Sequence, residues 1–411
     1  MHTLALGAAR AIARELARTA IVHDDRCTWM GTTQNLAADG VSLTFRYGTL
    51  GPDVYGGTAG VALFLAEAWR VTGDPRVRRF ARAAIRHALA RASRLRAEGR
   101  LGFYDGAVGI AFAAAWVADR LSDAALAVEA QAVLSGLRAD EGDAMGLDVL
   151  DGAAGAVPAL IALAERFDAP ELITTARHLG DRIVATAHRH PYGWSWAFAA
   201  QGGDALDLTG FSHGTAGMAW ALSELHAATG DTRYAAAAAE AIRFESHWFR
   251  PDEDNWPDFR DHAGDPALAP CAHAWCHGAP GIGLARLAAL ERTPTAELRR
   301  DVRAAVRASM RWLDRPDADA DFSPCHGRAG AAELLLEAGR RMGAAAAART
   351  AARLATAGAR RWGNEPAAWP CGVQRGSNPS LMIGLAGIGY FLLRVADPSV
   401  PSLLLPTLSV R

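Results

Sequence analysis

Two short stretches carry the residue types best suited to chemistry: Ala274-Trp275-Cys276-His277-Gly278 and Ser323-Pro324-Cys325-His326-Gly327. Each sets a cysteine and a histidine side by side, just before a glycine turn. Cys276, Cys325 and His326 together form a Cys₂His donor set that suits zinc with one coordination position open, as a catalytic metal requires. Recruiting His277 as a fourth ligand would instead close the set into a structural centre. His213, in Phe211-Ser212-His213-Gly214, is placed either to act as a general acid beside such a centre or to hold a helix start through its backbone. Asp148 and Asp151, both just before Gly152, could each supply a carboxylate, and the pattern alone does not choose between them. Asp105 and Tyr55 stand before comparable glycines and read as structural. His262, Cys271 and His273 read as loop residues, and Cys371 as packing.

These residues are placed by a repeat. A Gly-x-x-Gly turn that leads into an apolar helical run occurs seven times, with first glycines at Gly57, Gly106, Gly152, Gly214, Gly278, Gly327 and Gly384, spaced 46 to 64 residues apart. An apolar run follows each turn. After Gly57 the run Val61–Val71 is apolar nearly all round, which marks a helix buried on all sides. Gly73-Asp74-Pro75 then breaks the chain, with Pro75 suited to the first turn of the next helix. Arg76–Ala92 puts Phe80, Ala84, Ile85 and Leu89 on one face and arginines on the other, as a surface helix does. Met218–Ala227 and Arg233–Phe249 repeat the pattern. The spacing therefore predicts an all-α fold, an α/α toroid with seven inner and seven outer helices. Residues just before each Gly-x-x-Gly would gather at one end of it, which makes Cys276 and Cys325 equivalent positions in consecutive repeats.

The predicted organisation is an N-terminal extension over 1–50 packing on the barrel, the toroid over 51–396 and a C-terminal tail over 397–411 lying on the surface. Residues 25–47 read as an extended connection. Two long connections, 188–212 with Trp194 and Trp196, and 247–274 with Trp248, Trp256 and Phe259, lead toward the mouth. Their aromatic rings suit either an extended peptide or the anchoring of the loops themselves.

Composition narrows the function classes. The chain has 411 residues, half of them hydrophobic, and a net charge of −1. That balance gives no general attraction to nucleic acid or acidic lipid. The apolar run Leu381–Leu393 is too short to span a bilayer, and no signal segment opens the chain, so a cytoplasmic protein without a membrane span is expected. Five cysteines in a chain this long argue against a disulfide framework.

The seven turns, Ser-His-Gly at 212–214, Trp275-Cys276-His277-Gly278-Ala279-Pro280-Gly281 and Cys325-His326-Gly327 together resemble the lanthionine synthetase C-like cyclases over about residues 54–395. The stretches 275–286 and 379–390 look most like the cyclase domain of class II lanthipeptide synthetases, here free-standing. The resemblance implies the α/α toroid and zinc ligated by Cys276, Cys325 and His326. It also implies His213 as the acid/base histidine, and Asp148 rather than Asp151 as the catalytic aspartate. The implied reaction adds peptide cysteine thiolates to dehydroalanine or dehydrobutyrine in a dehydrated precursor peptide, forming thioether rings. A separate dehydratase or kinase-lyase protein would supply that substrate. One departure is Ala272, where some family cyclases carry an arginine. Glutathione addition to dehydrated residues, or a non-catalytic peptide-binding subunit of a biosynthetic complex, are the alternative functions. A toroidal glycosidase or terpenoid enzyme would need paired carboxylates or an acidic metal-binding run at the mouth; Asp148 and Asp105 stand there, but the sequence has no Asp-rich motif and the Cys/His set would be idle.

Overall fold

The computed structural model describes residues 2–36, 43–198, 206–260, 262, 264–315, 321–373 and 376–405, with the backbone alone at 34–36 and 43–45. Among the described residues the chain forms fourteen α-helices and three two-stranded antiparallel hairpins. In order the helices are α1 (His2–Thr19), α2 (Thr58–Thr72), α3 (Pro75–Ala97), α4 (Ala107–Leu121), α5 (Ala124–Leu134), α6 (Ala153–Phe167) and α7 (Glu171–Ala185). The series continues with α8 (Thr215–Thr229), α9 (Thr232–Trp248), α10 (Ala279–Arg292), α11 (Ala296–Leu313), α12 (Arg328–Met342), α13 (Ala345–Trp362) and α14 (Leu385–Ala396). Every even-numbered helix starts at the first glycine of a Gly-x-x-Gly turn. These are the apolar helices; α2 and α4 are buried over most of their length. The odd-numbered helices bury one stripe, and all but α5 carry arginines outside it, as α3 does with Val77, Phe80, Ala84 and Ile85 inward. Its start follows the sequence: Pro75 opens the helix and the Asp74 side chain accepts the Arg76 N–H at 3.0 Å, a capping arrangement that satisfies an orphan donor.

The second glycine of six of the seven motifs, at Gly60, Gly109, Gly155, Gly217, Gly281 and Gly387, has a steric reason. A Cβ at Gly109 would stand 1.6 Å from the carbonyl oxygen of Phe103, and one at Gly281 1.9 Å from that of Trp275. The loop before each of these inner helices lies directly on the helix's first turn, and only glycine leaves room for it.

Two compact units make up the chain. The first comprises Met1–Gly136, Asp317–Glu333 and Arg349–Leu403. Within it α14, α2 and α4 are successive neighbours, with α3 and α5 packed outside α2 and α4. The N-terminal helix α1 lies along α14 and buries Ala5, Ala9, Ile12 and Leu16, so it supplies the outer partner of the last inner helix. Residues 25–47, expected to be an extended connection, instead contribute to two hairpins, β1 (Ile21–His23) with β2 (Arg26–Thr28) and β3 (Met30–Leu36) with β4 (Leu43–Thr49). The segment after α14 is not a surface tail as far as it is described: Val400, Leu403, Leu404 and Leu405 are buried. Four apolar side chains in six residues gain more from burial than from water.

The second unit comprises Leu137–Pro316, Leu334–Ala348 and Leu404–Arg411. Here α6, α8 and α10 are successive neighbours, backed by α7, α9 and α11. The connection after α7 folds into a third hairpin, β5 (His188–His190) with β6 (Gly193–Ser195). The loop tryptophans serve mainly as anchors. Trp196 is buried and donates to the Ile183 carbonyl at 2.7 Å, and Trp256 and Phe259 are buried. Trp194 stays partly exposed beneath the Arg189 guanidinium. Residues 199–205 of the first long connection lie outside the described residues. No helix among the described residues is long and apolar enough to cross a membrane.

Candidate active site

Within each unit, the turns before the inner helices are joined through backbone hydrogen bonds. In the second unit, Phe211 and Ser212 both donate their N–H to the Cys276 carbonyl at 3.0 Å, and Val149 donates to the Ser212 carbonyl at 2.9 Å. The turns bearing Asp148, His213 and Cys276 are thus stitched together through backbone. In the first unit, Cys325 N–H donates to Met382 O (2.9 Å), Met382 N–H to Tyr55 O (3.0 Å) and Tyr55 N–H to Tyr104 O (2.8 Å). The repeats place equivalent residues edge to edge, and sequence distance becomes irrelevant.

Asp148 and His213 meet side chain to side chain. Asp148 Oδ2 lies 2.5 Å from His213 Nδ1, while Asp148 Oδ1 accepts the Asp151 N–H at 3.0 Å. Asp148 is buried and Asp151 is exposed, which separates the two acids that the sequence pattern left open. An ionised carboxylate can only accept, so Nδ1 carries the proton and Nε2 is the nitrogen that can exchange one. Burial alone would push the Asp148 pKa up, but the charge and hydrogen bond of His213, with the Asp151 hydrogen bonds, outweigh it and leave it below the ordinary value. For His213 burial pulls the pKa down. The Asp148 charge and hydrogen bond, helped by Cys276 and Asp151, reverse that and leave it above the ordinary value. The Phe198 ring covers His213 with centroids 4.5 Å apart. It rests on a small apolar platform that includes Leu208 and Phe259.

The two Cys-His pairs are not alike. Cys276 is buried, and its neighbour His277 is 1% exposed, with its ring 5.9 Å from that of His213. Burial, then the nearby Arg260 charge, hold the His277 pKa down to about 3, so this imidazole is neutral across the physiological range. Cys325 is buried, whereas His326 is exposed, with Nε2 3.3 Å from Asp321 Oδ2. Asp321 in turn accepts from Ser323 N–H at 2.7 Å and Ser323 Oγ–H at 2.8 Å. The chain passes close by at Gly372, where a Cβ would stand 2.7 Å from His326 Nε2.

A metal can be tested against these residues by donor chemistry. Cys325 and His326 are adjacent, and Asp321 at Nε2 is the carboxylate partner that metal-ligating histidines usually have, which leaves Nδ1 for a metal. Cys276, the other cysteine of this kind, lies in the second unit. The donors fit zinc in kind. Among the described residues no three His, Cys, Asp or Glu side chains are gathered closely enough to hold a metal.

The other candidates have local roles. Asp105 pairs with Arg100 at 3.2 Å. His262 Nε2 bonds the Asp265 carbonyl, and His273 stacks on Trp312. All five cysteines are free thiols, and Cys371 is buried with its sulfur accepting the Asn378 N–H. Sequence reasoning missed the contact of Tyr55 with Cys325 and that of Asp321 with His326. Tyr55 carried a signal, since it sits two residues before its glycine, as Cys276 and Cys325 do.

No curated protein sequence matches the chain. Among solved structures it is similar to nisin cyclase, at 16% identity over 85% of this chain and 89% of that one, with a TM-score of 0.60. Weaker likenesses include the unsaturated glucuronyl hydrolase of Bacillus sp. GL1, 16% identical over 75% of this chain and 83% of that one with a TM-score of 0.45. A GH76 α-mannanase of Bacteroides thetaiotaomicron is 8% identical over 95% and 94%, with a TM-score of 0.47. The match to nisin cyclase establishes the fold as an α/α toroid of that type. The family described as "Lanthionine synthetase C-like protein" matches residues 48–405. With nearly the whole chain covered, this protein belongs to the lanthionine synthetase C-like family.

Proposed function

We propose that the protein is a zinc-dependent cyclase that forms thioether rings in a dehydrated precursor peptide. The observation that carries the reading is the Asp148–His213 pair, held at 2.5 Å on turns whose backbone hangs from Cys276. An acid–base pair built onto a candidate metal-binding cysteine suits a reaction that needs both a thiolate and a proton donor. Cys276, Cys325 and His326 would hold the zinc. Bound there, it would lower a thiol's pKa and keep a thiolate available at neutral pH.

The chain's own residues carry the rest. The substrate cysteine loses its thiol proton, and its sulfur attacks the β-carbon of dehydroalanine or dehydrobutyrine. A C–S bond forms, and the alkene electron pair moves onto the α-carbon and its carbonyl as an enolate. His213 Nε2 delivers a proton to the α-carbon, while Asp148 holds Nδ1 and stabilises the charged imidazole before transfer. The departed thiol proton restores the histidine, so S–H and C=C become C–S and C–H with no oxidant or reductant. Phe198 over the ring excludes water from one face of the acid. A separate dehydratase would supply the substrate, and a cytoplasmic setting suits the free thiols.

The test is loss of free thiol in a dehydrated, cysteine-containing peptide, read by mass after alkylation. The wild type should remove the alkylatable thiol without changing the unalkylated mass. His213→Ala should slow this about 10²–10⁴-fold. Full activity of His213→Ala, or no thiol loss with the wild type and a matched peptide, would sink the proposal.

A further inference from the structure

Tyr55 stands in the turn before α2, at the place in its repeat that Cys325 holds in another. Its hydroxyl lies 3.1 Å from Cys325 Sγ, within the same unit. Both ends of that contact are held by backbone. Tyr55 N–H is tied to Tyr104 O at 2.8 Å, and Tyr55 O accepts from Met382 N–H at 3.0 Å. Cys325 N–H is bonded to that same Met382 residue through its carbonyl at 2.9 Å. Asp53 Oδ1 accepts the Gly56 N–H at 2.7 Å and shapes the turn on the other side. The Tyr55 ring meets the edge of Tyr104 with centroids 6.4 Å apart, so the phenol is braced and aimed at the sulfur. Tyr104, at the same place in the next repeat, sends a hydroxyl bond to the Leu403 carbonyl at 3.3 Å.

We propose that Tyr55 is a positioning residue for the metal site: its phenol donates a hydrogen bond to the sulfur of Cys325. That bond fixes the cysteine side chain and draws charge from its thiolate. The inference rests on the zinc reading above. A phenol donor to a thiolate is a charge-assisted bond, stronger than its neutral counterpart. Partners of this kind outside the ligand sphere typically set metal affinity within a range of about 10–100-fold. Tyr55 therefore joins Asp321 as an outer support of the Cys325-His326 pair, one holding the sulfur and the other the imidazole.

The experiment compares full-length wild type with Tyr55→Phe, which keeps the ring and removes only the hydroxyl. Zinc affinity is read by competition with a chromophoric chelator, and each protein is also loaded with Co²⁺. The expected result is zinc affinity weaker by about tenfold or more in Tyr55→Phe. In the cobalt form the sulfur-to-cobalt charge-transfer band should move to longer wavelength, because a thiolate that has lost a donor gives up its electron more readily. The band position belongs to each occupied site, so partial misfolding of the variant would not mimic the shift. Unchanged affinity together with an unchanged band would overturn the role of Tyr55 while leaving the zinc reading standing. Failure of the wild type to take up either metal would overturn both, and the two failures are told apart by the wild-type arm alone.

Discussion

Of the two carboxylates before Gly152, only one is useful to His213, and burial explains which. Asp148 is buried and spends one oxygen on the Asp151 N–H and the other on the imidazole. The pair raises the His213 pKa against its own desolvation. A raised pKa means that His213 keeps its proton to a higher pH than an ordinary histidine, so activity that needs the acid form should persist further into the alkaline range. Asp148→Asn removes the charge that does this. The alkaline limb of the pH–rate profile should then move to lower pH, with a fall in turnover of about 10²-fold; a profile with an unmoved limb would show that Asp148 does not set the proton affinity of His213. The same sign applies to stability. The favourable contribution of the pair is present in full below the unfolded histidine value and fades as pH rises through the raised folded value, provided Asp148 stays ionised.

Elements, rather than single residues, place these side chains. The Gly-x-x-Gly pattern made the starts of the inner helices legible, because the loop lies on the helix at a distance that no Cβ permits. Gly281→Ala would set a methyl 1.9 Å from the Trp275 carbonyl, just one residue from Cys276. It should destabilise the protein by about 1–3 kcal/mol, seen as a lower urea midpoint, and disturb the Cys276 turn most. The hairpins were less legible. β5 is His188-Arg189-His190, three polar residues without an apolar alternation, and it exists because its partner β6 folds back on it. The loop tryptophans could equally have faced a substrate. Trp196 instead finds a backbone acceptor inside, which lets its indole be buried whole. Beneath the His213 turn runs a polar support that no motif announced: Arg286 on α10 bonds Glu245 on α9 at 2.6 Å, and Glu245 accepts the Gly210 N–H at 3.1 Å. All three side chains of the group Arg286, Glu245 and Asp301 are buried. Arg286→Met would strand the two carboxylates, at a cost of about 3–5 kcal/mol. Equilibrium unfolding in urea measures this, and a loss below about 1 kcal/mol, within the range of an exposed pair, would contradict the role given to the triad.

For the molecule as a whole, the repeat predicts more than the parts. Fourteen helices among the described residues alternate between buried and amphipathic, and the N-terminal helix supplies the outer partner of α14. That last pairing was not legible, since the first 20 residues carry no Gly-x-x-Gly and their Ala/Leu/Arg pattern fits any surface helix. That Cys276 and Cys325 share a place in the repeat was legible; the contacts of Tyr55 and Asp321 were not, because rotation from one repeat to the next decides which turns face each other. If zinc binds the folded chain and not the unfolded one, adding it to chelator-treated protein should raise the unfolding temperature, by an amount that grows with the logarithm of zinc concentration. Removing a ligand should abolish that rise. The most direct measurement of the central claim is the zinc content of protein purified without chelators, wild type beside Cys325→Ala. The wild type should carry about one zinc per chain, from one Cys₂His donor set, and the variant should lose it. A wild type without zinc, or a variant that keeps it, would rule out Cys276, Cys325 and His326 as a zinc site.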